Sequence, residues 1–143
     1  MDIQEGIKTT MTGQDLSQEE ISSVMNQILT GSASEAQIGA FLVSLSIKGE
    51  SVDEVIGSAQ VMRKLSSKVS VDKVNLVDTC GTGGVGSGIF NVSTTAAFVA
   101  SSCGAKVAKH GNRSATRKSG SADLLEAAGV ALDLNPDQIK TCI

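Results

Sequence analysis

The chain has 143 residues, a formal net charge of −3 and 41% apolar residues, which suffices for a packed core in one domain, or in a small domain plus part of another. Aromatic residues make up only 2%, so the predicted core is aliphatic. The acidic balance argues against a nucleic-acid-binding surface. The N-terminus lacks a signal-peptide pattern, and no apolar stretch reaches about 18 residues, so we expect a cytoplasmic protein with no nucleic-acid or membrane partner.

The three cysteines, Cys80, Cys103 and Cys142, are odd in number and show no C-x-x-C spacing. This pattern predicts neither a disulfide framework nor a zinc site. We interpret all three as ordinary thiols in a reducing compartment.

Three capped helices are predicted in the first part of the chain. Ser17 with Glu20, and Ser51 with Glu54, form capping boxes, and Ser34 opens the helix between them. Short turns join the three helices, which predicts a small helical bundle. The apolar positions predicted to face inward are Ile21, Val24, Met25, Ile28 and Leu29 in the first helix, Ile38, Phe41, Leu42 and Leu45 in the second, and Val55, Ile56, Ala59 and Met62 in the third.

From residue 68 onward, short apolar runs alternate with helical segments. The fold class is therefore α/β, with a helical bundle over residues 1–67 and the first part of a parallel-sheet α/β domain over residues 68–143. Only three strands are predicted, and a helix begins at residue 136, close to the end of the chain. We therefore expect the front portion of a longer protein, with only part of its sheet. Strands are predicted at 74–77, 105–108 and 130–134, and helices at 93–102, at 123–128 and from 136.

A glycine-rich turn follows the first predicted strand. Gly81, Gly83 and Gly84 allow a ligand to approach main-chain N–H groups, and Ser93 and Thr94 lie where the next helix begins. Clusters of N–H groups at a helix start are suited to phosphate. A single glycine cluster is more often an ordinary strand-to-helix turn, so this turn alone is a weak indication.

A cationic loop follows the second predicted strand. It contains Lys109, His110, Asn112 and Arg113, and Ser121 lies near the start of the helix beyond it. The only histidine, His110, is as readily structural as catalytic at this position. Ligands of parallel sheets bind beyond the carboxyl ends of the strands, where both loops are expected. Together they predict a site for a doubly phosphorylated small molecule with a polar co-substrate beside it.

The combination of motifs is far more specific than its parts. Gly-Thr-Gly-Gly at 81–84, Phe-Asn-Val-Ser-Thr at 90–94, Val-Ala-Lys-His-Gly-Asn-Arg at 107–113 and Lys-Ser-Gly-Ser-Ala-Asp-Leu-Leu-Glu at 118–126 resemble the anthranilate phosphoribosyltransferase family. Gln-Ile-Gly-Ala-Phe-Leu at 37–42 resembles the N-terminal helices of the same family. The resemblance covers nearly the whole chain but well under half of a typical member.

The resemblance implies transfer of phosphoribose from phosphoribosyl pyrophosphate to the amino group of anthranilate, with release of pyrophosphate, in tryptophan biosynthesis. It implies a fold like that of nucleoside phosphorylases and phosphoribosyltransferases, a requirement for Mg²⁺, and a homodimer formed through the helical domain. Ser93 is the implied magnesium ligand and Asn112 the implied anthranilate contact, while Lys109 and His110 have electrostatic or positioning roles. The implied substrate-binding residues are Gly81, Thr82, Gly83, Gly84, Asn91, Val92, Ser93, Thr94, Lys109, His110, Gly111, Asn112, Arg113 and Ser121.

One departure from the family pattern bears on activity. The family usually carries Asp after Gly-Thr-Gly-Gly, and this chain has Val85. The family's acidic pair for a second magnesium, and an arginine that holds anthranilate, lie beyond Ile143. We therefore expect the chain alone to be weak or inactive as a transferase.

Two other interpretations remain open at this point. Pyrimidine nucleoside phosphorylases have a similar Thr-Gly-Gly-Val-Gly turn, which residues 82–86 match, but the motifs at 109–113 and 119–123 argue against them. A non-catalytic relative that binds a phosphate ligand or nucleic acid, or a dimerisation fragment with a vestigial cradle, is the alternative from a different class.

Overall fold

The computed structural model describes residues 1–81, 90–113 and 120–143, and the chain forms two compact units, Met1–Ser67 and Lys68–Ile143. Within the described ranges, no helix is both long and apolar enough to cross a membrane. The first unit contains α1 (Ile3–Met11), α2 (Gln18–Leu29), α3 (Glu35–Lys48) and α4 (Val52–Leu65). The second contains β1 (Leu76–Val77), α5 (Val92–Ser102), β2 (Lys106–Val107), α6 (Ser121–Ala127) and α7 (Pro136–Cys142).

All four helices of the first unit begin with a capping box, in which the N-cap side chain and the N3 side chain each accept a backbone N–H. The three predicted helices are confirmed. A fourth, α1, was not predicted, although Asp2 and Glu5 form the same box at its start. Gly49 ends α3 with φ of 85°, a conformation that favours glycine.

The core of the first unit is aliphatic apart from Phe41. α1 packs against α3, and α2 packs against α4. The side chains of Thr10 and Ser44 are buried and share a hydrogen bond of 2.7 Å, so α1 and α3 also meet through polar groups. The buried apolar residues of the core cluster are Ile3, Leu16, Ile21, Val24, Phe41 and Leu45.

A buried carboxylate joins the start of α4 to two other parts of the first unit. Glu54 accepts the backbone N–H of Leu16 (2.9 Å) and of Ser51 (2.7 Å), and it pairs with Lys48 at 2.8 Å. The side chains of Lys48 and Glu54 are only 4% and 1% exposed. The ammonium of Lys48 also contacts Asp15 at 2.6 Å, so the end of α3 is tied to the segment before α2.

All three predicted inward faces contain errors. In α2, Ile21 and Val24 are buried as predicted, but Leu29 is exposed. In α3, Phe41 and Leu45 are buried as predicted, but Leu42 is exposed. In α4, the predicted face formed by Val55, Ile56, Ala59 and Met62 is exposed. The positions that α4 buries are instead Glu54, Gly57 and Val61. The physical reason is that the buried Glu54 has a charged partner and hydrogen-bond donors inside the unit. Gly57 in turn allows α4 to approach α2 closely, so the face that contains these two residues is the one that packs inward.

The second unit contains the start of a parallel sheet, which confirms the predicted fold class. Leu76 pairs with Lys106, and Val77 with Val107. The predicted third strand at 130–134 is wrong, since the strands among the described residues are β1 and β2 alone. Local hydrogen bonds take up backbone groups there, from Val130 N–H to Leu125 and from Leu134 N–H to Leu132.

Glu54→Gln should destabilise the first unit by about 2 kcal/mol at neutral pH, because it removes the buried half of the ion pair and leaves the Lys48 ammonium with the exposed Asp15 carboxylate. Burial by itself raises the pKa of Glu54, but hydrogen bonds from Lys48, Ser51 and Leu16 outweigh it and hold the pKa below the ordinary 4.5. A carboxyl with a lowered folded pKa stabilises only while ionised, so stability should decline as the pH falls below 4.5 and through the lowered folded value. Urea unfolding followed by circular dichroism measures both effects.

The control is Glu50→Gln, which removes an exposed carboxylate and should change the free energy of unfolding by less than about 0.5 kcal/mol. Equal stability of Glu54→Gln and Glu50→Gln would contradict a stabilising role of the buried carboxylate.

Gly57→Ala should destabilise the first unit by about 2 kcal/mol, although alanine favours helices. An added Cβ would clash with Ile21 Cγ2 and lie 2.7 Å from the Gln18 carbonyl oxygen. Gly39→Ala in α3 is the matched control, because its Cβ meets open space and should stabilise by up to about 1 kcal/mol. Thermal unfolding of the two variants should shift in opposite directions, and a stabilised Gly57→Ala would disprove the close contact between α2 and α4.

Candidate functional site

Two neighbouring residues just after β1 connect it to the start of α5 and to the loop after β2. Asp78 Oδ1 accepts the backbone N–H of Cys80 at 2.8 Å and that of His110 at 3.4 Å. The Thr79 hydroxyl donates to the Ser93 carbonyl at 2.8 Å. The start of α5 and the loop after β2 therefore meet at the carboxyl end of β1, as the parallel topology predicts.

The start of α5 has the features of an anion site. Asn91 is the N-cap, and its Oδ1 accepts the Thr94 N–H at 3.1 Å and the Ser93 hydroxyl at 3.2 Å. Thr94 is only 2% exposed, and its hydroxyl has no hydrogen-bond partner within the described part of the chain. A buried hydroxyl without a partner is costly, and here it lies in the first turn of a helix, where the helix dipole favours negative charge. A phosphate oxygen would supply the missing partner.

The loop after β2 lies against the start of α6. Lys109 Nζ donates to the His110 carbonyl at 2.9 Å and to the Ser121 hydroxyl at 3.3 Å. The Ala122 N–H donates to the Asn112 carbonyl at 3.2 Å. At Gly111, an added Cβ would lie 2.5 Å from Ser121 Oγ, so glycine allows this close approach.

Arg113 binds carboxylates of α6. Its guanidinium donates to both oxygens of Glu126, at 2.6 and 2.8 Å, and to Asp123 at 3.3 Å. These hydrogen bonds and charges raise the pKa of Arg113, and the Arg113 hydrogen bond lowers the pKa of Glu126. Of the predicted cations, Arg113 is thus already neutralised, whereas the partners of Lys109 among the described residues are neutral oxygens.

The described residues contain no cluster of three His, Cys, Asp or Glu side chains suited to a metal ion. Magnesium does not require one, because it keeps several waters and uses few protein ligands together with substrate phosphates. The Ser93 hydroxyl and the Asn91 amide oxygen are 3.2 Å apart at the start of α5 and are oxygen ligands of the type that magnesium prefers. The donor set therefore fits a metal that arrives with a phosphorylated ligand.

The structure brings most of the predicted site residues to two adjoining places. Thr82, Gly83 and Gly84 lie outside the described residues, as does Val85. Gly81 is exposed, with no atom within 4 Å of an added Cβ. The first place, at the start of α5, holds Asn91, Val92, Ser93 and Thr94, and the second, between the loop after β2 and α6, holds Lys109, His110, Gly111, Asn112, Arg113 and Ser121.

Sequence reasoning missed four residues that organise this arrangement. Asp78 and Thr79 lie between the first predicted strand and the glycine-rich turn, and no role was predicted for them. Asp123 and Glu126 had no predicted role, although their i, i+3 spacing puts them on one face of α6. That spacing, opposite a loop rich in cations, was the available signal.

Comparison with known proteins covers both units. Residues 4–66 match the family model described as "Glycosyl transferase family, helical bundle domain", and residues 73–143 match "Glycosyl transferase family, a/b domain". Together the two models account for nearly the whole chain.

Individual relatives agree with the motif resemblance and confirm it. The anthranilate phosphoribosyltransferases of Hahella chejuensis and Ectopseudomonas mendocina are 58% and 54% identical over the whole chain, which covers 41% of each. The crystal structure of anthranilate phosphoribosyltransferase from Thermus thermophilus superposes with a TM-score of 0.73 at 38% identity, over 95% of this chain and 43% of that one. The chain thus spans about two fifths of the length of the curated relatives it matches.

Thr94→Val should leave the fold intact and weaken anion binding. Removing the buried hydroxyl should be neutral or stabilising by up to about 1 kcal/mol without ligand, because no hydrogen bond to the described residues is lost. Binding of pyrophosphate should weaken about tenfold, the value of one hydrogen bond to a charged group. Isothermal titration calorimetry and thermal unfolding measure the two effects.

Thr95→Val is the matched control for this substitution. Thr95 lies one residue further along α5, is exposed, and bonds to the Asn91 carbonyl at 3.1 Å. Its replacement should leave pyrophosphate affinity unchanged, and an equal loss in both variants would show that Thr94 does not contact the anion.

Proposed function

Since the chain belongs to the glycosyl transferase family defined by this helical bundle domain and this a/b domain, we propose that it binds phosphoribosyl pyrophosphate beyond β1 and β2. The reaction it serves is transfer of phosphoribose to the amino group of anthranilate with release of pyrophosphate, the activity that names its relatives. The observation that carries the proposal is the junction at Asp78 and Thr79, which joins an anion-binding helix start to a lysine-bearing loop. Localisation in the cytoplasm belongs to the same proposal.

Negative charge develops on pyrophosphate as its bond to the anomeric carbon breaks. The positive end of the α5 dipole, the Thr94 hydroxyl and the Lys109 ammonium are suited to such charge. The Ser121 hydroxyl and the His110 carbonyl hold Lys109 in place, so little reorganisation is needed when charge appears. This arrangement stabilises a leaving group without any covalent intermediate.

Asn112 is proposed to contact the carboxylate of anthranilate. Its side-chain oxygen accepts the Arg113 N–H at 2.7 Å, which leaves the side-chain NH₂ group as the donor. The arylamine is already nucleophilic, so positioning can replace a strong base. His110, exposed and next to Lys109, is proposed to line the space between the two substrates.

Mg²⁺ is proposed to enter with the pyrophosphate group. Ser93 would hold it, and Asn91 is the neighbouring oxygen. The ion would supply charge neutralisation on the leaving group. The chain's own residues then have the tasks of binding and orienting the two substrates.

A homodimer through the helical unit is proposed on the basis of exposed apolar side chains. In α3, Ile47 is 83% exposed, and in α4, Val52 is 76% exposed. Val55 and Met62 of α4 are also exposed. Apolar groups of this kind are buried when subunits associate.

We expect the purified chain to bind phosphoribosyl pyrophosphate with Mg²⁺ but to consume anthranilate slowly, because Val85 replaces a carboxylate of the family pattern. Binding is measured by calorimetry and turnover by loss of anthranilate fluorescence. Lys109→Ala should weaken binding at least about tenfold, since it removes a charge that faces the phosphates. Lys106→Ala is the matched control, because Lys106 pairs with Asp72 at 2.6 Å and should not affect binding.

Three outcomes would contradict parts of this proposal. Absence of phosphoribosyl pyrophosphate binding would remove the proposed substrate. Turnover at an ordinary enzymatic rate would show that Val85 is no handicap. Phosphorolysis of thymidine in place of anthranilate consumption would favour the pyrimidine nucleoside phosphorylase alternative.

A further inference from the structure

Arg113 was predicted to bind substrate, but its guanidinium is already bound by carboxylates. Both Glu126 oxygens accept from it in a bidentate arrangement, and Asp123 accepts a third hydrogen bond. These three side chains together carry a net negative charge. A phosphate would have to displace a carboxylate and approach another, so Arg113 is poorly placed as an anion ligand.

The two carboxylates lie on consecutive turns of α6. Asp123 Oδ2 also accepts the Gly120 N–H at 2.7 Å, which fixes the start of the helix. Arg113 therefore connects the loop after β2 to the first two turns of α6. Bidentate geometry fixes orientation as well as distance, which a single contact would not.

The residues nearest to this ion pair in sequence contact the same helix start. The Asn112 carbonyl accepts the Ala122 N–H, and Lys109 Nζ donates to the Ser121 hydroxyl. The Arg113 N–H donates to the Asn112 side-chain oxygen at 2.7 Å, which orients that amide. Movement of the Arg113 backbone away from α6 would therefore displace Lys109 and the Asn112 side chain as well.

We propose that Arg113 is a positioning residue rather than a substrate ligand: its ion pair with Glu126 clamps the loop after β2 onto α6 and holds Lys109 and Asn112 in their binding positions. This inference rests on the proposed function for the identity of the bound substrate. The clamp itself depends only on contacts within the second unit. The ion pair is half exposed, with Arg113 57% and Glu126 55% accessible, so its effect should be moderate.

Glu126→Gln distinguishes the two roles because they predict opposite changes. If Arg113 binds phosphate directly, Glu126 competes with the ligand, and Glu126→Gln should tighten binding. If Arg113 is a clamp, Glu126→Gln loosens the loop and should weaken binding of Mg²⁺–pyrophosphate about fivefold, the upper range for an exposed ion pair. Asp133→Asn is the matched control, because it removes an equal charge from an exposed position in the same unit.

Exchange of the charges provides a second test. Arg113→Glu alone should weaken pyrophosphate binding, and the double variant Arg113→Glu with Glu126→Arg should recover most of it if the pair acts as a clamp. No recovery, or unchanged or tighter binding in Glu126→Gln, would overturn the proposal.

A measurement without ligand separates this inference from the proposed function. Hydrogen exchange of the Ala122 amide, observed by NMR, reports the contact between α6 and the Asn112 carbonyl. It should accelerate about fivefold in Glu126→Gln and stay unchanged in Asp133→Asn. Unchanged exchange in Glu126→Gln would overturn the clamp, whereas a failure of the parent chain to bind pyrophosphate would overturn only the proposed function.

Discussion

The candidate site depends on the hydrogen bonds that two adjacent residues make at the carboxyl end of β1. Asp78 binds the backbone of the loop after β2, and Thr79 binds the first turn of α5. These partners lie 32 and 14 residues further along the chain, so short contacts at one strand end bring distant segments together. β1 and β2 are each only two residues long. The side-chain contacts therefore hold the loops in place to an extent that the backbone pairing of a longer sheet would otherwise provide.

Each half of the site satisfies its polar groups in a different way. At the start of α5, the Thr94 hydroxyl is buried without a partner among the described residues, which favours a ligand that brings an acceptor or donor. Between the loop after β2 and α6, Lys109 and Arg113 both have partners, but only Arg113 has a described partner of opposite charge. The Thr94 hydroxyl and the Lys109 ammonium are therefore available to an anion. The neutralised Arg113 keeps its part of the site ordered when no anion is bound.

Local signals in the sequence predicted much of the fold, and tertiary contacts account for what they missed. Capping boxes marked the starts of α2 and α4, and Ser34 marked the start of α3, because these signals lie within four residues of each helix start. α1 was not predicted because small and polar residues, Gly6 and Thr10, face the core there. The buried face of α4 was predicted wrongly because this helix buries the charged Glu54. The loop after β2 was found from its cationic motif, whereas most of the glycine turn lies outside the described residues. The roles of Asp78 and Thr79 could not be predicted, since they depend on which segments meet in three dimensions.

The contact between Gly57 and Ile21 has an evolutionary consequence. α4 approaches α2 so closely that a methyl group of Ile21 and the Gln18 carbonyl occupy the space that a side chain at position 57 would need. The two positions therefore cannot drift independently, because a larger residue at position 57 requires both a smaller residue at position 21 and a shift of the α2 backbone at Gln18. The order in which such substitutions accumulate is constrained, so positions 21 and 57 should be epistatic and co-vary across descendants of this sequence.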